Sequence, residues 1–536
     1  MESSQQRDGG EGVARQVPAG GGLRLRRDMG LWSAVSLIAG CMIGSGIFMS
    51  PQGVLVYMGS PGASLVVWAV CGLLTTLGAL CYAELGTLVP ESGGEYAYIL
   101  RTFGSLPAFL VIYTFVLVSR PAAIAAVSLS FAQYVVVPFY PGCSSLPQAM
   151  LKGVAATCLL LLLLVNCWSS RATIMLMNVC TAAKVLSLLV IVGGGVMVLG
   201  QGCGRTEALL TAFHNTSQQA GHISMAFYQG MWSFDGWNSL NYVMEELKNP
   251  NQNLVCALLI AIPLVTGLYL LVNISYLLVL SPSEILSSDA MAVSWGNQVL
   301  GAWAWLVPLA VALATFGSVN GLFFSGSRVC YVAAREGHMG PRPKWLLGHL
   351  FAIAGGRGSR GQAKPHMPAN PSLSPASVDE NYVSSPEPRL LSMVHVRRFT
   401  PAPALMFTTA VALVLVTPGS FNTIVNSLSF LGWLTYGTTI SCLLYLRMKK
   451  KKNLPRPYKV PIIIPAIMLL ASLYLVLAPI LDHPQMEFLY LFLFLLSGLP
   501  VYFLFVYFRC QPRCLQVATL HLQLLLEVAP TTKNAD

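Results

Sequence analysis

The chain is dominated by twelve apolar blocks, most of them about twenty residues long, separated by short polar connections. They lie near 31–50, 62–82, 106–136, 149–167, 174–199, 221–243, 254–280, 302–332, 402–417, 421–446, 460–480 and 487–508. Twenty residues of helix cover about 30 Å, the thickness of a bilayer's hydrocarbon core. Backbone groups in hydrocarbon must bond within their own segment, so blocks of this kind are expected to be helices. The alternating pattern of a membrane β-barrel is absent. With 55% hydrophobic and only 10% charged residues, the chain has too little polar surface for a soluble globule of this size. The expected class is an all-α polytopic membrane protein of twelve spans, its transmembrane domain covering 29–508.

The polar remainder is organised by topology. Residues 1–28 are polar and rich in Gly and Arg, lack the apolar core of a signal peptide, and read as a disordered tail. If the N-terminus is cytoplasmic, the inner connections carry Arg24, Arg26, Arg27, Arg101, Arg171, Lys248, Arg335, Arg397, Arg398 and the run Lys449 to Lys452. The outer connections carry almost none; Arg205 is the exception. That asymmetry is the positive-inside rule, and it places both termini in the cytoplasm. The net charge of +11 is scattered over alternate loops, which argues against nucleic-acid binding.

Thirteen cysteines show no CxxC or HxxxH spacing, so no metal is expected. Cys71, Cys158, Cys180 and Cys442 fall inside spans, where a small apolar packing role is expected. Cys143 sits in an outer loop, Tyr140 to Ser145. It can bridge Cys203, the other outer-facing cysteine, or another chain. Asn215-Thr216-Ser217 is an outward glycosylation sequon, whereas Asn273-Ile274-Ser275 matches inside a span and should be out of reach.

Two spans are interrupted. The first contains Gly40, Gly44 and Gly46, each costing a helix roughly 1 kcal/mol relative to alanine. Close packing through small residues is one explanation. An unwound helix whose bare amides face an anion is the other. The sixth span reads Phe227 to Asn238 and places Gly230, Asp235, Gly236 and Asn238 near the midplane, where an ionisable residue suggests function. Breaks in spans one and six match an inverted five-helix repeat, and paired broken helices point to a transporter's site. A half-helix N-terminus suits a carboxylate and freed carbonyls suit an ammonium, so the pair fits an α-amino acid.

These segments, with Cys81 to Gly86, Ser92 to Tyr96, Gly236-Trp237-Asn238, Leu240-Asn241-Tyr242, Glu245-Glu246, Arg335 to His338 and Thr400 to Ala404, resemble the light chains of the heteromeric amino-acid transporters. That family lies in the amino acid–polyamine–organocation superfamily. The resemblance covers about 28–340 and 389–530. Within it the chain resembles the branch that exchanges cystine and dibasic amino acids beside an rBAT-like heavy chain, with the aromatic-preferring ArpAT branch as the alternative. The resemblance implies a LeuT-like fold, a plasma-membrane location, no cofactor and sodium-independent one-for-one exchange. It also implies a single-span glycoprotein heavy chain, linked by a disulfide through Cys143. The substrate region would comprise Met42, Ile43, Gly44, Ser45, Gly46, Trp232, Ser233, Asp235 and Asn238. Within it the amides of Ser45 and Gly46 would hold the carboxylate, and carbonyls at Met42 and around Trp232 the ammonium. Trp232 matches an aromatic gate, against a plain packing role.

Asp235 stands where neutral-substrate members usually carry a small residue, so it could attract a cationic side chain. Alternatively it could pair with Arg120 of the third span. Lys184 matches a lysine that stands where sodium-coupled relatives bind sodium; snorkelling to the interface is the other reading. About fifty residues, 340–388, depart from the family pattern and are expected to be a disordered cytoplasmic insert. Leu515 to Val528, in the cytoplasmic tail 509–536, is expected to form an amphipathic helix. No HExxH or GxSxG element supports an enzyme. A proton-coupled symporter of the same fold, with Lys184 or Asp235 carrying the proton, is the remaining alternative.

Overall fold

The computed structural model describes residues 29–91, 93–140, 147–202, 212–244, 247–288, 290–335, 393–395, 400–417, 421–450, 457–482, 486–508, 521, 526 and 528–530. Each of the twelve apolar blocks is helical. The first span consists of Leu31–Met42 and Gly46–Met58, bent by 49° at their junction. Pro61–Leu88 forms the second, and the short helix Glu95–Phe103 leads into the third. The third runs through Ser105–Thr114, a π-helical turn Phe115–Ser119 and Arg120–Val136. Gln148–Trp168 and Ser170–Gly200 are the fourth and fifth. The sixth runs from Ala220 to Ser233, stops, and resumes as a 3-10 turn, Ser239–Tyr242. Pro250–Val279, Leu306–Arg335, Ala402–Val416, Phe421–Tyr445, Ile463–Asp482 and Met486–Val501 complete the set. Pro282–Ser287 and Met291–Val299 are two short helices between the seventh and eighth spans that the sequence reading did not anticipate.

Among the described residues, eight helices are long and apolar enough to cross a bilayer by themselves, and the bent pair of the first span makes nine. The other three have identifiable reasons for falling short. The sixth is interrupted, Ala402–Val416 has only 15 residues, and Phe421–Tyr445 carries Asn422, Thr423, Asn426, Ser427 and Ser429 on its way through.

Two apolar clusters hold the bundle together. One joins spans 1, 2, 6 and 7 through Phe48, Trp68, Tyr228, Phe234 and Tyr269. The other joins spans 3, 4, 8 and 9 through Ile124, Leu159, Phe323 and Leu405. Leu161, Leu164, Leu186, Leu470 and Phe492 point outward and stay exposed, as suits a surface solvated by lipid. At the end of the bundle where spans 2, 10 and 11 meet, Glu84 is fully buried and accepts from the Arg447 guanidinium and, at 2.9 Å, from the Val460 amide. A buried ion pair is tolerated only when its remaining donors and acceptors are satisfied, and here Arg447 also donates to the Val460 carbonyl at 2.6 Å.

Strand structure among the described residues is confined to one antiparallel ribbon, in which Met393, Val394 and His395 face Pro530, Ala529 and Val528. Val528 therefore ends in a strand rather than in the expected amphipathic helix. Of that helix only His521 and Leu526 are otherwise described, and both are helical. Cys143, Cys203, residues 1–28 and the stretch 340–388 lie outside the described residues. The four cysteines expected to pack inside spans are buried free thiols. Asn215 is exposed, in a left-handed turn at φ 61°, and Asn273 is buried, donating to the Tyr269 carbonyl at 2.8 Å.

Candidate functional site

The two breaks meet. The first half of span 1 ends at Ile43, whose ψ of 93° is extended, and the second half begins at Gly46. A Cβ on Gly46 would lie 2.5 Å from the Ser233 Cα, so only glycine lets this helix start touch the end of the first half of span 6. The relation is reciprocal. Gly236, at φ 96°, lies against span 1 so closely that a Cβ would meet that of Cys41 at 2.9 Å. The Tyr269 hydroxyl, from span 7, lies 2.8 Å from the Met42 carbonyl and 2.9 Å from that of Ser233. Met42 and Ser233 are the last residues of the two half-helices, so one phenol proton serves two helix C-termini.

A cavity of about 210 Å³ opens beside this junction. Met42, Gly44, Ser45, Gly46, Trp232, Asp235 and Asn238 line it, seven of the nine substrate-region residues read from the sequence. Ile43 and Ser233 do not. Ile43 is buried within the break, and Ser233 packs directly against Gly46. Ser45, Gly46 and Ile47 begin a helix, so their amides have no intrahelical carbonyl, and no side chain caps them. The helix start at Gly46 brings a positive dipole end to the cavity wall, and Met42, at the C-terminal end of Leu31–Met42, lines the same cavity.

One wall of the cavity is backed by an aromatic contact. Trp232 meets Phe421 of span 10 edge-on, with ring centroids 6.4 Å apart. Further along the same seam Gln229 donates to Asn426 at 3.1 Å, and Ser429 to the Tyr228 carbonyl at 3.3 Å. On the other side the lining continues through Gly93, Glu95 and Tyr96 of the connection between spans 2 and 3. Glu95 accepts from the Asn238 amide and, at 2.8 Å, from the Tyr242 hydroxyl. Burial pushes its carboxyl up from the usual carboxylate range, and those two bonds partly offset the rise. Asn238 therefore braces the wall as well as lining it. Glu95 and Tyr242 belong to segments the sequence reading singled out, but Glu95 reaches Asn238 and Tyr242 across 143 and 147 positions.

The two remaining charges lie apart. Lys184 is buried outside the cavity lining and donates to the Gly40 carbonyl at 3.1 Å. Arg120 lines the cavity with Asp235. The ion pairs among the described residues are Arg101 with Glu91 and Arg447 with Glu84; Arg120 and Asp235 share a chamber without being joined.

Residues 29–345 match the amino acid permease family. The chain belongs to that family. Its relatives include b(0,+)-type amino acid transporter 1 of Mus musculus, 42% identical over 96% of this chain and 95% of the relative. The Homo sapiens protein of the same name is 41% identical over the same shares. Large neutral amino acids transporter small subunit 2 of Mus musculus is 39% identical over 94% of this chain and 85% of the relative. The permease family is one of multi-pass membrane transporters.

Proposed function

We propose that the chain is a sodium-independent exchanger of amino acids and the light chain of a heteromeric transporter in the plasma membrane, with both termini cytoplasmic. The observation that carries this is the junction of two half-helix ends of opposite polarity inside one cavity. An α-amino acid presents a carboxylate and an ammonium on adjacent atoms. The amides of Ser45 and Gly46 take the first, and carbonyls at Met42 and around Trp232 take the second. Asp235 extends the range to dibasic side chains. Trp232 closes over the substrate, and Phe421 backs it. Spans one and six act as counterparts of an inverted repeat of the LeuT kind, so alternating access opens the seam between spans 6 and 10 as the opposite side shuts. Lys184 holds the sodium position with a fixed charge, and Cys143 links the chain to a single-span glycoprotein partner. Similarity to the b(0,+)-type amino acid transporters over nearly the full length supports amino acids as cargo, and the family resemblance of the sequence extends that reading to neutral and dibasic amino acids and cystine.

Reconstitution decides the matter. Uptake of labelled leucine or arginine into liposomes should require an unlabelled amino acid inside and should ignore a pH gradient. Uptake into empty liposomes driven by acid outside would favour a proton-coupled symporter of the same fold and overturn exchange.

A further inference from the structure

The half-helix Ala220–Ser233 of span 6 carries Trp232 near one end, and its other end rests on span 11. Among the described residues, none of Ile463–Asp482 lines the cavity. An inverted repeat of five helices uses ten spans, which leaves span 11 outside it. Its contacts with the half-helix are nevertheless specific.

Pro479 lies inside span 11 and has no N–H to donate to the Leu475 carbonyl, four residues back. The Tyr228 hydroxyl, fully buried on the half-helix, donates to that carbonyl at 2.6 Å. The exchange is mutual, because the Tyr474 hydroxyl of span 11 donates to the Ala220 carbonyl at 2.9 Å. Asp482 accepts from the Gly221 amide in the first turn of the half-helix, whose own N-cap, Gln219, supplies no side-chain bond. A carboxylate is out of place at the C-terminus of its own helix, where the dipole end is negative, and well placed at the N-terminus of another. The two backbones are close here: a Cβ on Gly221 would lie 2.6 Å from the Asp482 Cβ. Span 11 is thus tied to residues 220, 221 and 228, and further along the same half-helix Gln229 and Ser233 pack on Gly53 and Gly46 of span 1.

We propose that span 11 braces the first half of span 6, with Tyr228 and Asp482 as positioning residues that touch no substrate yet set how well the cavity binds it from outside. This rests on the reading that the helix breaks hold the substrate. A half-helix released from its brace divides its time between positions that keep the Gly46–Ser233 contact and positions that lose it. Apparent affinity then falls with the fraction of competent protein.

The test measures the KM of external leucine in right-side-out liposomes loaded with leucine, beside thermal stability, for the full chain. Tyr228→Phe leaves the Leu475 carbonyl without its partner and should raise KM about fivefold or more, the order expected for one buried hydrogen bond. Pro479→Ala supplies the missing N–H. The double variant Tyr228→Phe/Pro479→Ala should therefore regain thermal stability while its KM stays raised, because the carbonyl is satisfied but the two spans are no longer tied. At the exposed edge, Asp482→Ala should raise KM about threefold and Asp482→Asn should stay within about twofold, since asparagine caps a helix nearly as well as aspartate. That pair decides if Tyr228→Phe does not fold. A KM that recovers together with stability in the double variant would reduce Tyr228 to packing and overturn the proposal, as would a wild-type KM in Asp482→Ala. Absence of leucine exchange in the wild-type chain would instead remove the reading beneath it.

Discussion

Lys184 reaches from span 5 to donate a 3.1 Å hydrogen bond to the Gly40 carbonyl, three residues before the first half of span 1 gives way at Ile43. The ammonium stands at a helix C-terminus, where carbonyl dipoles favour a cation. It is 2% exposed, so snorkelling to an interface does not describe it. On the proposed reading, this covalently fixed cation stands in for a mobile one and repels it.

The expected consequence is indifference to sodium. Replacing external sodium by a large organic cation should change leucine exchange less than twofold. Lys184→Ala should abolish exchange while the protein remains monodisperse in detergent. A steep sodium dependence in the wild-type chain would contradict this role of the lysine.

Gly46 offers a sharper steric test. A methyl group there would stand 2.5 Å from the Ser233 Cα, and backbone cannot swing aside as a side-chain tip can. Gly46→Ala should force the two breaks apart and reduce exchange at least tenfold. Gly153, whose Cβ would meet nothing within 4 Å, is the control: Gly153→Ala should transport normally. Equal activity of the two variants would show that the junction need not be tight.

How much of this was legible beforehand follows from the distances involved. Apolar blocks are local patterns, so all twelve helices and both breaks could be read from sequence. Glycines near the midplane marked the breaks because their cost to a helix is local too. What sequence could not give was contact across the bundle. Tyr269 lies in an ordinary apolar run, and only the fold brings its hydroxyl to Met42 and Ser233, the former 227 positions away. Ile43 and Ser233 sit in the breaks, where the sequence alone puts them in the substrate region; neither is among the residues lining the cavity. The two short helices between spans 7 and 8 went unread because they are too short to carry periodicity.

On the proposed reading, assembly with a heavy chain runs through Cys143. Its loop precedes Gln148–Trp168, whose Leu160, Leu161, Leu164 and Trp168 are exposed on the bundle's outside. Cys143→Ser should eliminate the higher-mass band, seen without reducing agent, that joins the chain to a glycoprotein partner. Leucine exchange by the reconstituted light chain should persist. A band that survives Cys143→Ser would move the bridge elsewhere.

On the proposed reading, Asp235, which lines the cavity, sets which side chains it accepts. It follows the first half of span 6 by two residues and lies three positions from Trp232, so both face the chamber. A neutral substrate gains nothing from the carboxylate's charge. An arginine or lysine side chain gains a charge-assisted bond of roughly 1.5–3 kcal/mol. Asp235→Asn keeps shape and most hydrogen bonding while deleting the charge, so it should weaken arginine uptake by about one to two orders of magnitude. Leucine uptake should change far less. The competing account makes Asp235 the structural counterion of Arg120. On that account Asp235→Asn leaves a buried cation alone and damages every substrate alike. Arg120 and Asp235 form no direct ion pair, yet the Arg120 charge still acts on the Asp235 carboxylate, so the variant has to decide. Arginine and leucine uptake measured in the same variant, each normalised to surface protein, separates the two. Equal losses would end the selectivity argument and make Asp235 part of the scaffold.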